Sequence, residues 1–583
     1  MVDLRGVVGS PVHLLYTEYI LGGGRGDVAE ELWGRIPATM WEAYGLLGEV
    51  KGRYGPPPGE LGELKEAIRA DMERLGVLTS KASARIDRLG EGAIETGQQP
   101  YALGGSSLIL NKIAYIESLS GLGREGYVPL FFVADYDGVQ SELLNTRVPS
   151  PSQSGLLFSY PVGPGYEGSP IYEVPNPPEG WLEGALESLR GNYRGLLRHA
   201  DQATMERALL NLDHAITILK GAYYSTDNVS DWSTKTLGTL VNLEAGLGVP
   251  ILPFSMPRSR RLFQGGYEFL LSEPSRGRFI EASNRAAELV EASGYRAGIG
   301  FRDDDYVPFF LECSTEGCHR TRVEVKYRRG RGSPTASVRG ECPKCGEVYD
   351  FSFDAGSPDL TEVVGELSPK VDSRQVVVDS VVPVLAHIGG PGETSYYAEV
   401  IPAARSLDIP FPVFARYTRL FYNTPWNEAY AEALSEEGYP VLHEDRLFNA
   451  IGDWVEARNE GDRQALIGAH GEIRAVVRGV DCALRSELES LELEIDAIKG
   501  KLREPEGREA RIREMRERQS LAHEVERYLS SALGRFSPER FGQEVSWAWI
   551  DVATVAGVGD LLGVFMRQYN ENTPNSSMFF ANL

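Results

Sequence analysis

The chain has 583 residues and a formal net charge of −24 at pH 7, with 42% hydrophobic and 10% aromatic residues. That hydrophobic content can bury a core, and the length favours three or four domains of about 150 residues each. The acidic balance makes nucleic acid an unlikely partner, since phosphate binding needs clustered lysine and arginine. No run approaches the roughly 20 apolar residues that cross a membrane, and no signal-peptide pattern opens the chain, so we expect a cytoplasmic protein.

Residues 1–90 are predicted to form an N-terminal helical region, because apolar residues recur there at helical spacing. Residues 91–310 then begin with a short strand, a glycine-rich loop, a helix from about Ser106 and a strand that ends in acidic residues. This order is typical of a βαβ unit. It predicts an α/β fold with a Rossmann-like parallel sheet, whose ligands bind at the carboxyl ends of the strands.

The core is predicted to resume at residues 353–454 with a further strand, a helix from Glu393 and a last strand. Residues 455–535 show apolar residues three and four apart among charged ones, which predicts a helical coiled-coil hairpin. Such a hairpin packs within one chain or forms a homodimer, and the sequence does not separate the two. Residues 536–583 are expected to pack on the core.

Four of the five cysteines fall in two close pairs within residues 311–352. These four residues are Cys313, Cys318, Cys342 and Cys345. Two short cysteine loops on either side of a hairpin are typical of a zinc ribbon, and a cytoplasmic setting favours metal over disulfides. Four thiolates leave no open position, so the Zn²⁺ is expected to be structural. An unmetallated hairpin is the alternative.

The predicted tip of this hairpin is basic, with the sequence KYRRGRG at 326–332. Such a run could contact RNA or a phosphate group. The plainer interpretation is a solvated hairpin tip.

Two motifs far apart in the chain carry a family resemblance. The first is TGQQ at 96–99, followed by a Gly-Gly pair and a helix with a lysine; the second is GGPGE at 389–393. Arg374 precedes the second motif and Arg416 follows it. With these blocks the chain resembles the family of the bacillithiol-biosynthesis cysteine-adding enzyme, BshC, over residues 90–450.

The resemblance implies a core similar to class I nucleotidyl-transferase folds and a cysteine ligase activity. Members of the family are assigned the step that joins cysteine to the amino group of glucosaminyl-malate as an amide. Amide formation from a carboxylate needs an activating group, which makes ATP–Mg²⁺ a candidate cofactor. It also needs a base for the attacking amine and donors for the developing oxyanion.

The candidate site residues follow from these blocks and from the strand ends. Candidate catalytic residues are Gln98, Gln99, Asp135, Asp137 and His387. Candidate substrate- or nucleotide-binding residues are Thr96, Gly97, Gly104, Gly105, Lys112, Asn145, Arg374, Gly389, Gly390, Glu393, Tyr396 and Arg416. Several have plainer explanations: either arginine can serve an ion pair instead of a malate carboxylate, and Glu393 can simply stabilise a helix N-terminus.

The sequence departs from the family where two histidines usually follow the acidic strand. It has Ala134-Asp135-Tyr136-Asp137 at this place, and neither histidine is present. His387, beside GGPGE, is a candidate replacement base, or else a packed histidine. The competing hypotheses are a non-catalytic scaffold and an RNA-binding protein that uses the basic tip.

Overall fold

A computed structural model of the chain describes residues 10–23, 25–151, 155–426 and 543–583, with short stretches between 429 and 523 that include 491–497 and 509–517. The helices are α1 (His13–Ile20), α2 (Gly26–Trp33), α3 (Met40–Lys51), α4 (Glu60–Arg74), α5 (Ser80–Asp87), α6 (Leu108–Ser120), α7 (Glu179–Leu196), α8 (Gln202–Tyr223), α9 (Val229–Gly238), α10 (Pro257–Arg260), α11 (Gln264–Leu271), α12 (Ser275–Ala292), α13 (Arg374–Asp379), α14 (Pro391–Ser406), α15 (Gln543–Ser546), α16 (Trp549–Ala556) and α17 (Leu561–Met566). The strands are β1 (Ser10–Pro11), β2 (Ala93–Gln98), β3 (Val128–Val133), β4 (Asn145–Val148), β5 (Leu156–Ser159), β6 (Ile251–Pro253), β7 (Tyr295–Arg296), β8 (Phe309–Glu312), β9 (Arg322–Val323), β10 (Lys326–Arg329), β11 (Thr335–Glu341), β12 (Val348–Asp354), β13 (Leu367–Pro369), β14 (Val384–Gly389), β15 (Val413–Arg416), β16 (Arg419–Asn423) and β17 (Met578–Asn582).

A five-stranded parallel sheet forms the centre of the fold, in the order β15-β14-β2-β3-β6. Numbered by their appearance in the chain, these strands run 5-4-1-2-3 across the sheet, which is the Rossmann order. The predicted Rossmann-like parallel core is therefore confirmed. The order reverses between β2 and β14, and parallel sheets of this kind bind ligands at that switch point.

The sheet is buried on both faces, which is why β3 and β14 are almost continuously apolar. Helix α6 begins after the loop that follows β2, and α14 begins two residues after β14. Both helices therefore start at the same edge of the sheet. The register sets His387 beside Glu95 and Gly389 beside Arg416, so the ends of three strands meet there.

Helices α1–α5 occupy the segment in which the sequence predicts helices. At the other end of the sequence, β17 pairs in parallel with β16, and Asn111 of α6 accepts hydrogen bonds from Gln568 and Tyr569. The C-terminal segment thus contacts β16 and α6. The other domain boundaries remain predictions.

The cysteine-bearing insert, here named the ribbon segment (residues 311–352), contributes two antiparallel sheets. Strands β10, β11 and β12 form one of them, and β8 pairs with β9 and with β13 in the other. The alternating pattern between the two cysteine pairs predicts this hairpin. The segment rests on the loop at 164–172, where Lys344 donates to the Gly165 carbonyl oxygen at 2.6 Å.

Most of the coiled coil predicted at 455–535 lies outside the described residues. Residues 491–497 and 511–517 are helical, and Leu491, Ile495 and Met515 form a small buried cluster. The coiled coil and the homodimer stay predictions. No helix among the described residues is long and apolar enough to cross a membrane.

Candidate functional site

A buried ion pair occupies the switch point between β2 and β14. The Lys112 ammonium lies 2.6 Å from Glu393 Oε2, and it also donates to the Gly97 carbonyl oxygen at 3.0 Å and to Gln98 Oε1 at 3.2 Å. The lysine side chain is 1% exposed, and Glu393 is 17% exposed. All three donor positions of Lys112 are thus filled, so the lysine is a fixed positive charge rather than a solvated one.

Glu393 is held at the N-terminus of α14 by a second set of contacts. Its Oε2 accepts a 2.7 Å hydrogen bond from the Gly390 amide, and its Oε1 lies 3.4 Å from His387 Nε2. Burial by itself raises the pKa of this carboxyl. The opposing effect of Lys112 and His387 is larger, so the pKa falls from the ordinary 4.5 to about 2. Glu393 is therefore ionised at neutral pH.

His387 has no exposed surface. Its Nδ1 lies 3.7 Å from Glu95 Oε1, and its ring stacks on Tyr397 with the ring centroids 5.0 Å apart. Burial lowers the pKa of the imidazole below its usual range, so the ring is neutral at pH 7. A direct contact between His387 and substrate stays a prediction, and the geometry connects the ring to the crevice through Glu393.

Arg374 is buried and contacts Glu95, the carboxylate that also lies beside His387. Its Nη1 pairs with Glu95 Oε1 at 3.2 Å, and its Nη2 donates to the Tyr397 hydroxyl at the same distance. Glu95 also accepts from Gln375 at 3.0 Å. These contacts match the ion-pair alternative for Arg374, and its carboxylate-binding role stays a prediction.

Two glutamine amides continue the polar contacts from Lys112 along the end of β2. Gln98 Nε2 donates to Gln99 Oε1 at 2.8 Å and to the Tyr101 hydroxyl at 3.0 Å. Gln99 Nε2 then donates to Asp137 Oδ2 at 3.0 Å. Burial raises the pKa of the Asp137 carboxyl, and Arg322 and Gln99 oppose that shift. The structure thus brings both glutamines and Asp137 together, and their catalytic roles stay predictions.

Other predicted residues do not contact this cluster. Asp135 is buried and accepts hydrogen bonds from Ser255 and Ser230, and burial raises its pKa to about 7. Asn145 accepts from Ser159 at 2.6 Å across the β4–β5 hairpin. These contacts stabilise loops, and no contact of either residue supports the predicted catalytic or binding role.

The Gly104–Gly105 pair has a packing explanation. Both residues have φ values near +75°, and a Cβ on Gly104 would lie 2.6 Å from the Trp549 indole nitrogen. A Cβ on Gly105 would lie 2.8 Å from Tyr101. Protein atoms therefore fill the space beside this loop, which gives no support for a phosphate contact at the start of α6. The nucleotide-binding role stays a prediction.

Close backbone approach also explains the glycines of the second motif. A Cβ on Gly389 would lie 2.8 Å from the Phe414 ring, and a Cβ on Gly390 would lie 3.1 Å from the Tyr417 ring. Thr96 ties β2 to β14, since its hydroxyl donates to the Ile388 carbonyl oxygen at 2.7 Å. These contacts give Thr96, Gly389 and Gly390 the task of bringing the ends of the strands together.

Tyr396 lies on the first turns of α14, where its ring packs against Tyr397 with centroids 5.1 Å apart. Burial raises the pKa of its phenol, and the charge of Glu393 adds to that effect. It is half-buried, which leaves part of the ring available to a ligand.

Two arginines at the end of β15 are buried without a carboxylate partner among the described residues. Arg416 donates to the Thr17 hydroxyl at 2.8 Å, and its guanidinium lies 5.7 Å from the centre of the Tyr16 ring. Arg419 is 5% exposed and makes no ion pair within the described part of the chain. Burial and the charge of Arg419 lower the pKa of Arg416 to about 9, so both remain cations at neutral pH.

The two cations flank Tyr417, whose ring closes on Gly390. The switch point, here called the crevice, therefore combines the Lys112–Glu393 pair with two further buried cations, of which Arg416 has no carboxylate partner among the described residues and Arg419 feels the charge of Glu544. Burying a charge without a partner is costly, so an anionic ligand would stabilise this arrangement.

Sequence reasoning missed Glu95, Tyr397 and Arg419. Glu95 stands directly before TGQQ, and a carboxylate inside an otherwise apolar strand is a signal that could have identified it. Arg419 had no such signal, because an arginine three residues after Arg416 is ordinary in a surface loop. The burial of the Arg416 and Arg419 side chains in the folded protein is what distinguishes them from arginines of a surface loop.

The four paired cysteines form a compact cluster. Their sulfur atoms lie within 4.8 Å of one another, and the Sγ atoms of Cys313 and Cys345 are 3.7 Å apart. A tetrahedron with Zn–S bonds of about 2.3 Å has sulfur–sulfur edges of about 3.8 Å, so the cluster fits a closed zinc site. The fit supports a structural metal such as zinc.

Comparison with known proteins places residues 355–417 in a family described as the N-terminal Rossmann-like domain of bacillithiol biosynthesis BshC. A protein of Bacillus cereus strain AH187 named "Putative cysteine ligase BshC" is 25% identical over 213 residues, which are 35% of this chain and 37% of that protein. Relatives of the same name occur in Bacillus cytotoxicus, 22% identical over 42% of this chain and 44% of the relative, and in Desulforamulus reducens, 25% identical over 54% and 52%.

In these matches the chain spans between 37 and 52% of the length of the relatives. The matched family domain includes β14, the GGPGE turn, α14 and β15. Two residues of the switch-point cluster, His387 and Glu393, belong to it. The chain is therefore similar to BshC proteins over part of its length, and residues 355–417 match the family's Rossmann-like domain.

Proposed function

We propose that the chain is a BshC-like ligase of low-molecular-weight thiol biosynthesis, which joins the carboxyl group of cysteine to the amino group of glucosaminyl-malate or a related acceptor. The observation that carries the proposal is the buried pair Arg416 and Arg419: among the described residues Arg416 has no carboxylate partner, and the acidic group that acts on Arg419 is Glu544, whose burial raises its pKa to about 7. A malate group brings two carboxylates, and guanidinium groups bind carboxylates through charge-assisted hydrogen bonds. The family description, which concerns bacillithiol biosynthesis, supports the same reaction.

The reaction forms one C–N bond between the cysteine carboxyl carbon and the acceptor nitrogen. One carboxyl oxygen leaves with the activating group, and the nitrogen loses a proton to a base. The site must therefore hold an anionic acceptor, accept one proton and stabilise an oxyanion.

Asp137 is the base that the geometry favours. Its side chain is 25% exposed, so an amine can approach it, whereas His387 has no exposed surface. Burial raises the pKa of the Asp137 carboxyl towards the range in which a carboxylate accepts an amine proton more readily. Its Oδ2 is oriented by Gln99, which fixes the direction from which a proton arrives.

Gln99 is the better oxyanion donor of the two glutamines. Gln98 uses both N–H groups of its amide, towards Gln99 and Tyr101. Gln99 uses one N–H group towards Asp137 and keeps the other for a ligand. The free N–H group and the Asp137 carboxylate therefore lie side by side, as attack of an amine on a carbonyl requires.

Lys112, Glu393 and His387 form a buried set whose task is to position the crevice. The Lys112 ammonium fixes the Gln98 amide, and the neutral His387 ring supports Glu393 from the interior. We assign His387 a positioning role through Glu393. The Cys₄ cluster would hold zinc as a structural ion, since four thiolates leave no position for substrate.

Mass spectrometry of the purified zinc-loaded protein with cysteine, glucosaminyl-malate and ATP–Mg²⁺ tests the proposal. We expect the amide product, and the AMP or ADP released identifies the activating group. Arg416→Met and Arg419→Met should each lower kcat/KM for glucosaminyl-malate by at least tenfold, because a carboxylate contact to arginine is lost.

A control acceptor separates this effect from general damage. Glucosamine keeps the amino group and lacks the malate, so both variants should use it as well as the unaltered protein does. Equal losses with both acceptors, or no product from folded protein, would contradict the assigned reaction.

The RNA-binding alternative has weaker support. Lys326 pairs with Asp305 at 3.0 Å, and Arg339 lies 3.5 Å from Asp350, so acidic neighbours neutralise part of the basic ribbon. Retention on an RNA column that is lost when Arg328, Arg329 and Arg331 become glutamate would favour that alternative.

A further inference from the structure

The ribbon segment reaches the switch-point crevice through one side chain. Arg322 belongs to β9, and its Nη1 lies 3.7 Å from Asp137 Oδ1. The other oxygen of Asp137 accepts the 3.0 Å hydrogen bond from Gln99. An insert that holds the four-cysteine cluster therefore touches the carboxylate that lies in the crevice.

The backbone of Arg322 is tied to the cysteine cluster on one side. Thr321, directly before it, donates from its hydroxyl to the Cys318 carbonyl oxygen at 2.6 Å. The Cys313 amide in turn donates to the Thr321 carbonyl oxygen at 2.9 Å. A change in the arrangement of the cysteines would therefore move the backbone of Thr321 and with it the position of Arg322.

On the other side, the Arg322 amide donates to the Gly168 carbonyl oxygen at 2.9 Å, which anchors β9 to the loop at 164–172. That loop is joined to the acidic segment, because the Ile171 amide donates to the Asp137 carbonyl oxygen at 2.9 Å. Side chain and main chain of Asp137 are thus both connected to the ribbon segment.

The Arg322 side chain has few other partners. Its guanidinium lies 4.0 Å from the centre of the Phe310 ring, and its Nε has no hydrogen-bond partner among the described residues. The neighbouring Arg320 differs, because it pairs with Glu312 of the insert and with Glu366 of the segment that follows it. Arg320 thus ties the insert to the segment after it, whereas Arg322 is directed at Asp137.

The hydrogen bonds at the crevice all run in one direction. Lys112 donates to Gln98, Gln98 donates to Gln99, and Gln99 donates to Asp137. The Lys112 ammonium fixes the Gln98 amide, and the Asp137 carboxylate fixes the Gln99 amide. Without Arg322 the final acceptor would be free to turn, and the orientation of the Gln99 amide would no longer be determined.

We propose that Arg322 is a positioning residue by which the metal-binding ribbon holds Asp137 and Gln99 in their working orientation. A metal held by the four cysteines would fix the backbone at Cys318, which is hydrogen-bonded to Thr321, and so the position of Arg322 beside Asp137. The ribbon segment thereby completes the crevice without touching the ligand through its metal. This inference concerns the geometry of the crevice and does not depend on which reaction occurs there.

Hydrogen–deuterium exchange of the full-length protein, read by mass spectrometry together with zinc content, tests the proposal. In Arg322→Met we expect protection to fall at least tenfold in peptides covering 97–101 and 134–139, with four-cysteine zinc content unchanged. Arg322→Lys should restore much of that protection, because it keeps the charge. Arg328→Met, on the exposed face of the same insert, is the matched control and should change neither region.

The metal is tested separately. Cys345→Ser, at the exposed cysteine of the cluster, and treatment of the unaltered protein with a zinc chelator should both open 97–101 and 134–139 as Arg322→Met does. The proposal is overturned if metal loss opens only residues 311–352 and leaves the crevice peptides protected. It is equally overturned if Arg322→Met opens the ribbon and releases zinc, because Arg322 would then be a packing residue of the insert.

Discussion

Arg260 and Arg416 are both buried, but their electrostatic environments are opposite. Arg260 is 3% exposed and forms a bidentate pair with Glu312, with nitrogen–oxygen distances of 2.7 and 2.8 Å. Arg416 is equally buried, yet within the described part of the chain its guanidinium contacts the Thr17 hydroxyl and the Tyr16 ring and no carboxylate. The positive charge of Arg260 is paired with a carboxylate of the chain, whereas that of Arg416 is not paired with any carboxylate among the described residues. Burial alone therefore does not identify a functional arginine; the absence of a counter-charge does.

The largest expected effect comes from breaking the complete pair. Arg260→Met leaves Glu312 buried beside fewer cations, and losing one partner of such a pair costs about 3–5 kcal/mol. Arg416→Met removes a charge that has no carboxylate partner, so the free energy of unfolding should stay the same or rise in anion-free buffer. Urea unfolding of both variants measures the difference, and equal destabilisation would show that the two arginines are alike.

The pH dependence of stability sharpens the comparison at Arg419. Glu544 is the acidic group whose charge acts on Arg419, but burial raises its pKa to about 7 from an ordinary value of 4.5. Because the folded protein holds this proton more tightly than the unfolded chain, the stabilisation is full below pH 4.5 and is lost as the pH rises to 7. The loss from this carboxyl is about 3 kcal/mol.

Glu544→Gln should remove that part of the pH dependence, since the amide oxygen can still accept from the Leu420 amide. Unfolding curves between pH 4.5 and 8 compare the variant with the unaltered protein. Parallel curves would mean that Glu544 is ionised throughout and already serves as the counter-ion of Arg419.

An added anion should supply what Arg416 and Arg419 lack. With L-malate at 100 times its dissociation constant, the free energy of unfolding should rise by about 2.7 kcal/mol through mass action. The double variant Arg416→Met/Arg419→Met should lose this response. Sodium chloride at equal ionic strength is the control, and stabilisation that persists in the double variant would locate the anion elsewhere.

The smallest effect is expected at the exposed tip of the ribbon. Arg328→Ser should change the free energy of unfolding by less than about 0.5 kcal/mol, as is usual for surface positions without specific contacts. Thermal unfolding checks this. A larger effect would show that exposed arginines also depend on a partner in this protein.

Local chemistry made part of the site predictable. TGQQ ends a strand and GGPGE joins a strand to a helix, so both motifs could be placed at strand ends from the sequence alone. The spacing of the cysteines likewise indicates a four-ligand cluster, which the sulfur positions support.

The remaining features depend on contacts between distant parts of the chain. Nothing near Thr96 indicates that its strand lies beside β14, nearly 300 residues away. The same contact buries His387 and places its ring beside Glu95 and Glu393, which the motif alone does not indicate. Asp135 and Asp137 look alike in sequence, yet one faces Ser255 and the other Gln99, because both lie in the turn after β3, where the alternation of the strand no longer sets the direction of a side chain.

The pairing of β16 with β17 has a consequence for the order in which the molecule assembles. Residues 419–423 must wait for residues 578–582, and Asn111 must wait for Gln568 and Tyr569. Contacts of such long sequence separation form slowly and close late in folding. During synthesis the crevice would therefore stay incomplete until residues 568–582 have been made and have paired with the core, so a nascent chain that lacks them should not bind the ligand.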